Sequence, residues 1–241
     1  MLNIKLTISY DGSFYYGSQI QPNHLTIHNI LNEIFKKLNI KTTLNFSGRT
    51  DKGVHAFKQV VSCFIPNYWI NLNKLKNTIN KMLPNDIYVR SIYKVEDNFH
   101  ARFSAKTREY RYLISTKPLT PFNSKYLAYY KNIDHDKIIE ASNILIGTHN
   151  FKYFSKTGSD PHSTIRTILN IKLYNYKNIY IIKFTANSYL RSQIRMMVDF
   201  LMKISNDKLS TKDLKLQLSC KKNISTTLAP PSGLYLSKIT Y

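Results

Sequence analysis

Cys63 and Cys220 are the only cysteines of the chain, and no CxxC spacing joins them. Their scarcity argues against a disulfide scaffold and a thiolate zinc site, and for a reducing compartment. Acidic residues are scarce too: 14 Asp and Glu stand against 35 Lys and Arg, a formal charge of +21. A surface so short of carboxylates repels itself unless a polyanion is near, so nucleic acid is the first partner to consider. Isoleucine, asparagine and lysine are all heavily used, however, and an AT-rich genome would account for part of the lysine excess. No apolar run approaches the roughly 18 residues of a membrane helix. P-loop and GxGxxG strings are lacking, so nucleotide hydrolysis and dinucleotide binding have no support. The opening MLNIKLTISYDG alternates apolar and polar residues from its start, and a soluble, cytoplasmic protein is expected. With 43% hydrophobic and 20% charged residues over 241 positions, the chain suits one large or two packed folded domains.

Periodicity supplies the elements. Ile4, Leu6, Ile8 and Tyr10 alternate with Lys5, Thr7 and Ser9, the period of a strand with one buried face. From Thr26 onward Ile27, Ile30, Leu31, Ile34, Phe35 and Leu38 recur at helical steps. Strands are expected over 42–49 and 57–65, a helix over 71–82, with Leu72, Leu75, Ile79 and Met82 on one stripe, and a strand over 86–96. That order is β-α-β-β-α-β, the ferredoxin-like arrangement. The second half repeats it less regularly. Strands are expected at 107–115, 165–174, 179–187 and 234–241, and helices at 134–146 (closed by Gly147), 189–204 and 211–218. The fold class is α+β: two ferredoxin-like halves, 1–105 and 106–241, sharing a mainly antiparallel sheet with a central cleft. Fold alone does not license function.

SGRTDKGVHAF, residues 47–57, lies between two expected strands. Asp51 projects from the connecting loop, and Gly48 and Gly53 permit tight turns or close approach of a ligand. Arg49 and Lys52 place positive charge beside the carboxylate in sequence, an arrangement expected to favour the ionised form that nucleophilic work needs. Spacing by itself favours the plainer role of an aspartate closing a turn.

GRTDKGVHA resembles the signature of the tRNA pseudouridine synthase A family, in which the aspartate is the nucleophile. YDGSFYYGSQ (10–19) is similar to the family's opening loop, and FHARFSAKTREYRY (99–112) to its segment crossing between domains. Arg166-Thr167-Ile168 matches a recurrent RTI, Arg195 falls at a basic position in an apolar helix, and APPSGLYL (229–236) matches the closing motif. These segments follow the family's order along almost the whole chain. The resemblance implies the pseudouridine synthase fold and a cofactor-free, metal-free isomerisation at positions 38–40 of the tRNA anticodon arm, by homodimers. Asp51 would be the nucleophile; attack at C6, at C1′ or through a glycal all fit the residues. Tyr110 would pack on the uracil of an extruded uridine and is a candidate for handling its C5 proton. Its plainer role is a core strand tyrosine, with Tyr112 a decoy on the same face. Arg195 would hold the carboxylate ionised; otherwise it pairs along its helix with Asp199, worth about 0.2–0.5 kcal/mol. Arg49 would fill the stack the base leaves, and Leu234 would line the uracil pocket. Lys52, His55, Arg102, Lys106, Arg108 and Arg111 are candidate phosphate contacts, each otherwise a solvated surface charge. Ser18, His28 and Asp199 depart from the family, which commonly has tryptophan, glutamine and glycine there.

Two other classes compete. A non-catalytic RNA-binding protein with two RRM-like modules explains charge and topology, but no RNP1-like string appears and GRTD is left without a role. A metal-dependent nuclease or phosphoryl transferase needs several carboxylates, and Asp51 has no acidic neighbour in sequence. His24 and His28 have the i, i+4 spacing of a helical metal pair but no third ligand, and are taken as ordinary helix-start residues.

Overall fold

The computed structural model describes residues 1–156, 158 and 162–241. It is a mixed α+β protein with mainly antiparallel pairing, in two compact units: Met1–Lys106 with Tyr235–Tyr241, and Thr107–Leu234. The last strand, expected in the second half, thus groups with the first unit.

In the first unit β1 (Leu2–Tyr10) pairs antiparallel with β3 (His55–Ile65) on one side and β4 (Ile87–Lys94) on the other. Ile4, Leu6, Ile8 and Tyr10 are at most 5% exposed, as their alternation requires. Helix α1 (Ile27–Lys37) starts where the Thr26 hydroxyl accepts the Asn29 N–H, and buries Ile27, Leu31, Ile34 and Phe35. Each such side chain contributes about 1.5–3 kcal/mol by leaving water. Asn71 caps α2 (Leu72–Met82) in the same way by accepting from Lys74 N–H, and only Leu75 and Ile79 of its stripe are buried. Strand β2 is much shorter than its apolar pattern suggests, just Asn45–Phe46 against β3. Just past it the Ser47 N–H still donates to the Val60 carbonyl of β3 at 2.9 Å. The terminal strand β10 (Leu234–Thr240) runs parallel to β3, placing Tyr235 opposite His55 and Leu236 opposite Ala56.

In the second unit β5 (Thr107–Ser115), β9 (Ile179–Ala186), β8 (Ile165–Tyr176) and β7 (Gly147–Asn150) pair antiparallel in that order. The two-residue β6 (Ala128–Tyr129) runs parallel to β5. Lys177 and Asn178, at φ 49° and 66°, make the two-residue turn between β8 and β9. Helix α3 (His135–Leu145) is capped by Asp134, and Gly147 follows its end at φ 113°. Helix α4 (Gln193–Ser205) starts four residues later than its periodicity suggests, because Ser192 sits at φ 59°. It buries not one stripe but most of its circumference, Met196, Val198 and Phe200 included. Helix α5 (Thr211–Leu218) opens on a capping box of Ser210 and Asp213. Among the described residues no helix is long and apolar enough to cross a membrane.

Candidate active site

Asp51 sits partly exposed on the loop between β2 and β3, and the loop's backbone is tied down on both sides of it. The Ser47 hydroxyl donates to Gln59 Oε1 at 2.7 Å, and Gln59 Nε2 donates to the Gly48 carbonyl at 2.8 Å. The Thr50 N–H donates to Ser18 Oγ at 2.9 Å, and the Ser18 N–H returns a bond to the Thr50 carbonyl at 3.2 Å. The Thr50 hydroxyl lies 2.9 Å from the Tyr10 phenol oxygen. Burial pushes that phenol up to about 12, against the opposing effect of hydrogen bonds to Thr50, Gln59 and Ser18. Beyond Asp51, the Gly53 N–H donates to the Tyr15 carbonyl and the Val54 N–H to the Asp51 carbonyl.

The two motifs therefore interlock within one unit. A Cβ on Gly12 would lie 2.0 Å from the Val54 carbonyl oxygen, and one on Gly17 would lie 2.3 Å from that of Thr50. Gly17 also stands at φ 90°, a backbone region that L side chains rarely adopt. The loop thus presents a partly exposed carboxylate on backbone that hydrogen bonds hold in position. Ser18 is fully buried and supplies the Thr50 contact.

Around the loop the charged residues differ sharply. Arg49 and Lys52 are exposed. The Lys52 ammonium lies 3.9 Å from the centroid of the Tyr16 ring, whose plane stacks on His24 at 4.0 Å and 4°. Neither group leaves room for the other on one face, so the three form a His24–Tyr16–Lys52 stack that steadies Lys52. His55, expected as a phosphate contact, is instead only 1% exposed. Its Nδ1 accepts the Gly12 N–H at 3.1 Å and lies 3.1 Å from an Asp11 carboxylate oxygen, while its ring stacks on Tyr235. That side chain braces the loop and offers no surface to a phosphate. His28 stacks on Phe46, and burial holds its imidazole below the ordinary value. His24 precedes α1 and His28 lies in its first turn, so the two do not share a helical face.

In the second unit Tyr110 lies on β5 opposite Phe184, 6% exposed, with its ring edge-on to Tyr189. Tyr112, two residues along, is fully buried and donates its hydroxyl to the Pro230 carbonyl at 2.9 Å, a core role. Arg195 lies on α4, where its Nε donates to the Ala229 carbonyl at 2.7 Å and its own carbonyl accepts the Ala229 N–H. The closing motif APPSGLYL is thereby clipped to the helix that carries Arg195. Asp199 does not fill the place of an Arg195 partner: it pairs with Lys203 at 2.8 Å and accepts from the Thr227 hydroxyl. Leu234 is buried at the head of β10.

Of the remaining candidate cations, Arg102 and Lys106 are exposed, and the Arg102 guanidinium lies 5.5 Å from the Phe103 ring centroid. Arg111 pairs with Glu109 at 3.3 Å, its side chain 42% exposed. Arg108 is buried, with Nη1 donating to the Asn187 carbonyl at 2.7 Å, so it holds a turn of its own unit. Sequence reasoning missed the bracing roles of Tyr10, Ser18 and Gln59 and the presence of Tyr189 beside Tyr110. The motif YDGSFYYGSQ held the first two in plain view, but nothing in it names their partners. Among the described residues no group of three or more His, Cys, Asp or Glu side chains is placed to hold a metal.

A family model described as tRNA pseudouridine synthase matches residues 6–104 and 141–241. A tRNA pseudouridine synthase A of Campylobacter jejuni subsp. doylei is 40% identical over 241 residues, covering all of both chains. One from Wolinella succinogenes is 39% identical over 97% of this chain and 92% of its own. One from Limosilactobacillus reuteri is 36% identical over all of this chain and 97% of its own. Matched in both of its segments and aligned end to end with these relatives, the chain belongs to the tRNA pseudouridine synthase A family and is an isomerase of that class.

Proposed function

We propose that this synthase converts uridine to pseudouridine at positions 38–40 of the tRNA anticodon stem-loop, with Asp51 as nucleophile and no cofactor. The observation that carries the reading is the Asp51 loop itself. A partly exposed carboxylate stands on backbone whose neighbouring polar groups are already satisfied by Ser18, Tyr15, Gln59 and Tyr10. A turn-closing aspartate needs no such scaffold.

The reaction balances without an outside reagent. The N1–C1′ bond breaks, the uracil turns, C5 bonds to C1′, the C5 proton is lost and N1 gains one. Nothing is oxidised or reduced. Asp51 attacks the nucleoside, and Tyr110 packs on the uracil and is placed to handle the C5 proton. Arg195 supplies positive charge at the substrate, Leu234 lines the base pocket, and Arg49 takes the place of the extruded base. Base flipping costs a few kcal/mol, and an inserted planar cation offsets part of it. Lys52, Arg102, Lys106 and Arg111 are assigned to phosphates, in keeping with their exposure and the +21 charge.

Each unit is taken as a ferredoxin-like half of a pseudouridine synthase fold. The order β4-β1-β3 with β2 on the far side of β3, and two helices in the crossovers, supports this for the first. The enzyme is proposed to act in the cytoplasm as a homodimer. Asp51→Ala separates the synthase from an RNA-binding protein: the variant should bind tRNA within a few-fold of the parent and form no pseudouridine. Conversion at the parental rate would end the proposal.

A further inference from the structure

Tyr110, which the proposed function places against the uracil, is backed by a second tyrosine that the reaction does not yet use. The Tyr189 ring meets it edge to face, with centroids 5.3 Å apart and planes at 86°. Tyr189 belongs to the six residues joining β9 to α4, and that segment is braced throughout. Asn187 Oδ1 accepts the N–H groups of Thr167 at 3.2 Å and Ser188 at 2.6 Å, and its carbonyl accepts Arg108 Nη1 at 2.7 Å. The Leu190 N–H donates to Gln193 Oε1 at 2.8 Å, and the Arg191 carbonyl accepts the Lys156 N–H at 3.1 Å. The ring is thus carried on a segment tied down on both sides of it before any ligand arrives.

Its hydroxyl does not fit a purely structural role. The residue as a whole is half-buried, yet the hydroxyl oxygen is enclosed and has no hydrogen-bond partner among the described residues. Enclosing an unpaired hydroxyl carries a free-energy cost that phenylalanine, filling the same space, would avoid. Burial pushes the phenol well above its usual range, and the nearby Tyr110 and Glu109 push the same way, so it stays protonated and able to donate. That leaves a protonated hydroxyl without a partner among the described residues next to the tyrosine assigned to the uracil.

We propose that the Tyr189 hydroxyl is a substrate-binding group, donating a hydrogen bond to a carbonyl oxygen of the pyrimidine whose face packs on Tyr110. The inference rests on that placement of the base and deepens it. Uracil offers carbonyl acceptors on its edge, and a hydroxyl on the ring packed against Tyr110 supplies a donor for that edge while Tyr110 covers the face.

The test compares wild type with Tyr189→Phe on two RNAs: a tRNA with uridine at the target position and the same tRNA with an abasic nucleotide there. The phenylalanine variant should melt at the same temperature or higher, and should bind the abasic tRNA as wild type does. It should bind and convert the uridine tRNA about threefold to tenfold less well, the worth of one neutral hydrogen bond. Equal affinities on both RNAs, or equal losses on both, would overturn the proposal. So would a variant that melts below wild type, since the hydroxyl would then have a partner in the free protein. A wild-type enzyme indifferent to the base would instead remove the placement of uracil on Tyr110, and that outcome shows before any variant is made.

Discussion

Replacing Gly17 with alanine adds one methyl group, and the structure says where it goes. The new Cβ would lie 2.3 Å from the Thr50 carbonyl oxygen and 3.2 Å from the Asp51 carbonyl carbon, both backbone atoms. To reach 3.0 Å, below which real Cβ contacts are essentially never found, the Thr50 carbonyl must retreat by about 0.7 Å. That carbonyl immediately precedes Asp51, so the proposed nucleophile moves with it. The φ of 90° adds about 1–2 kcal/mol of strain for any L side chain. For a chain of this size that lowers Tm by about 2–8 °C. A displacement near 1 Å in a reacting group costs about a hundredfold in rate, so single-turnover conversion should slow about 30- to 100-fold. Saturating enzyme in that assay separates the chemical step from binding, and tRNA affinity measured at the same salt should change little. Gly147→Ala is the control: its φ is 113°, but its nearest neighbour is the end of the His149 side chain at 3.2 Å, at α3's exit in the other unit. It should lose similar stability and convert uridine within about twofold of wild type. A Gly17→Ala enzyme that converts at the wild-type rate would refute the claim that this contact positions Asp51.

Two further outcomes are expected. Affinity for tRNA should fall steeply with salt, and Lys52→Ala should reduce the slope of log K against log salt by about 0.7–0.9, one phosphate's worth; an unchanged slope would show that the stacked Lys52 ammonium meets no phosphate. His28 contributes a pH dependence of known sign. Burial lowers its folded-state pKa, so the unfolded chain takes up a proton first, at about pH 6.5, and stability falls as pH drops through that value. His28→Gln should flatten this part of the profile in urea unfolding between about pH 7.5 and 5.5, and parallel profiles for the two proteins would contradict the assignment.

Much of this protein was legible in one dimension. Alternation in β1, the stripe of α1 and the polar residues Thr26, Asn71, Asp134 and Ser210 that accept at helix starts are local properties, set by side chains a few residues apart. The motif strings placed Asp51 on a loop, where it lies between β2 and β3, and pointed to Tyr110 over Tyr112; both tyrosines are buried on β5. Partners distant in sequence were not legible. Ser18 meets Thr50 across 32 positions, Gly12 meets His55 across 43, and Arg195 meets Ala229 across 34. In the folded chain β2 spans two residues, His55 is a buried brace rather than a surface cation, and β10 lies in the first unit beside β3. Periodicity reports only which face of an element is apolar. Which donor satisfies which acceptor depends on segments brought together by burial, and only the folded chain settles that.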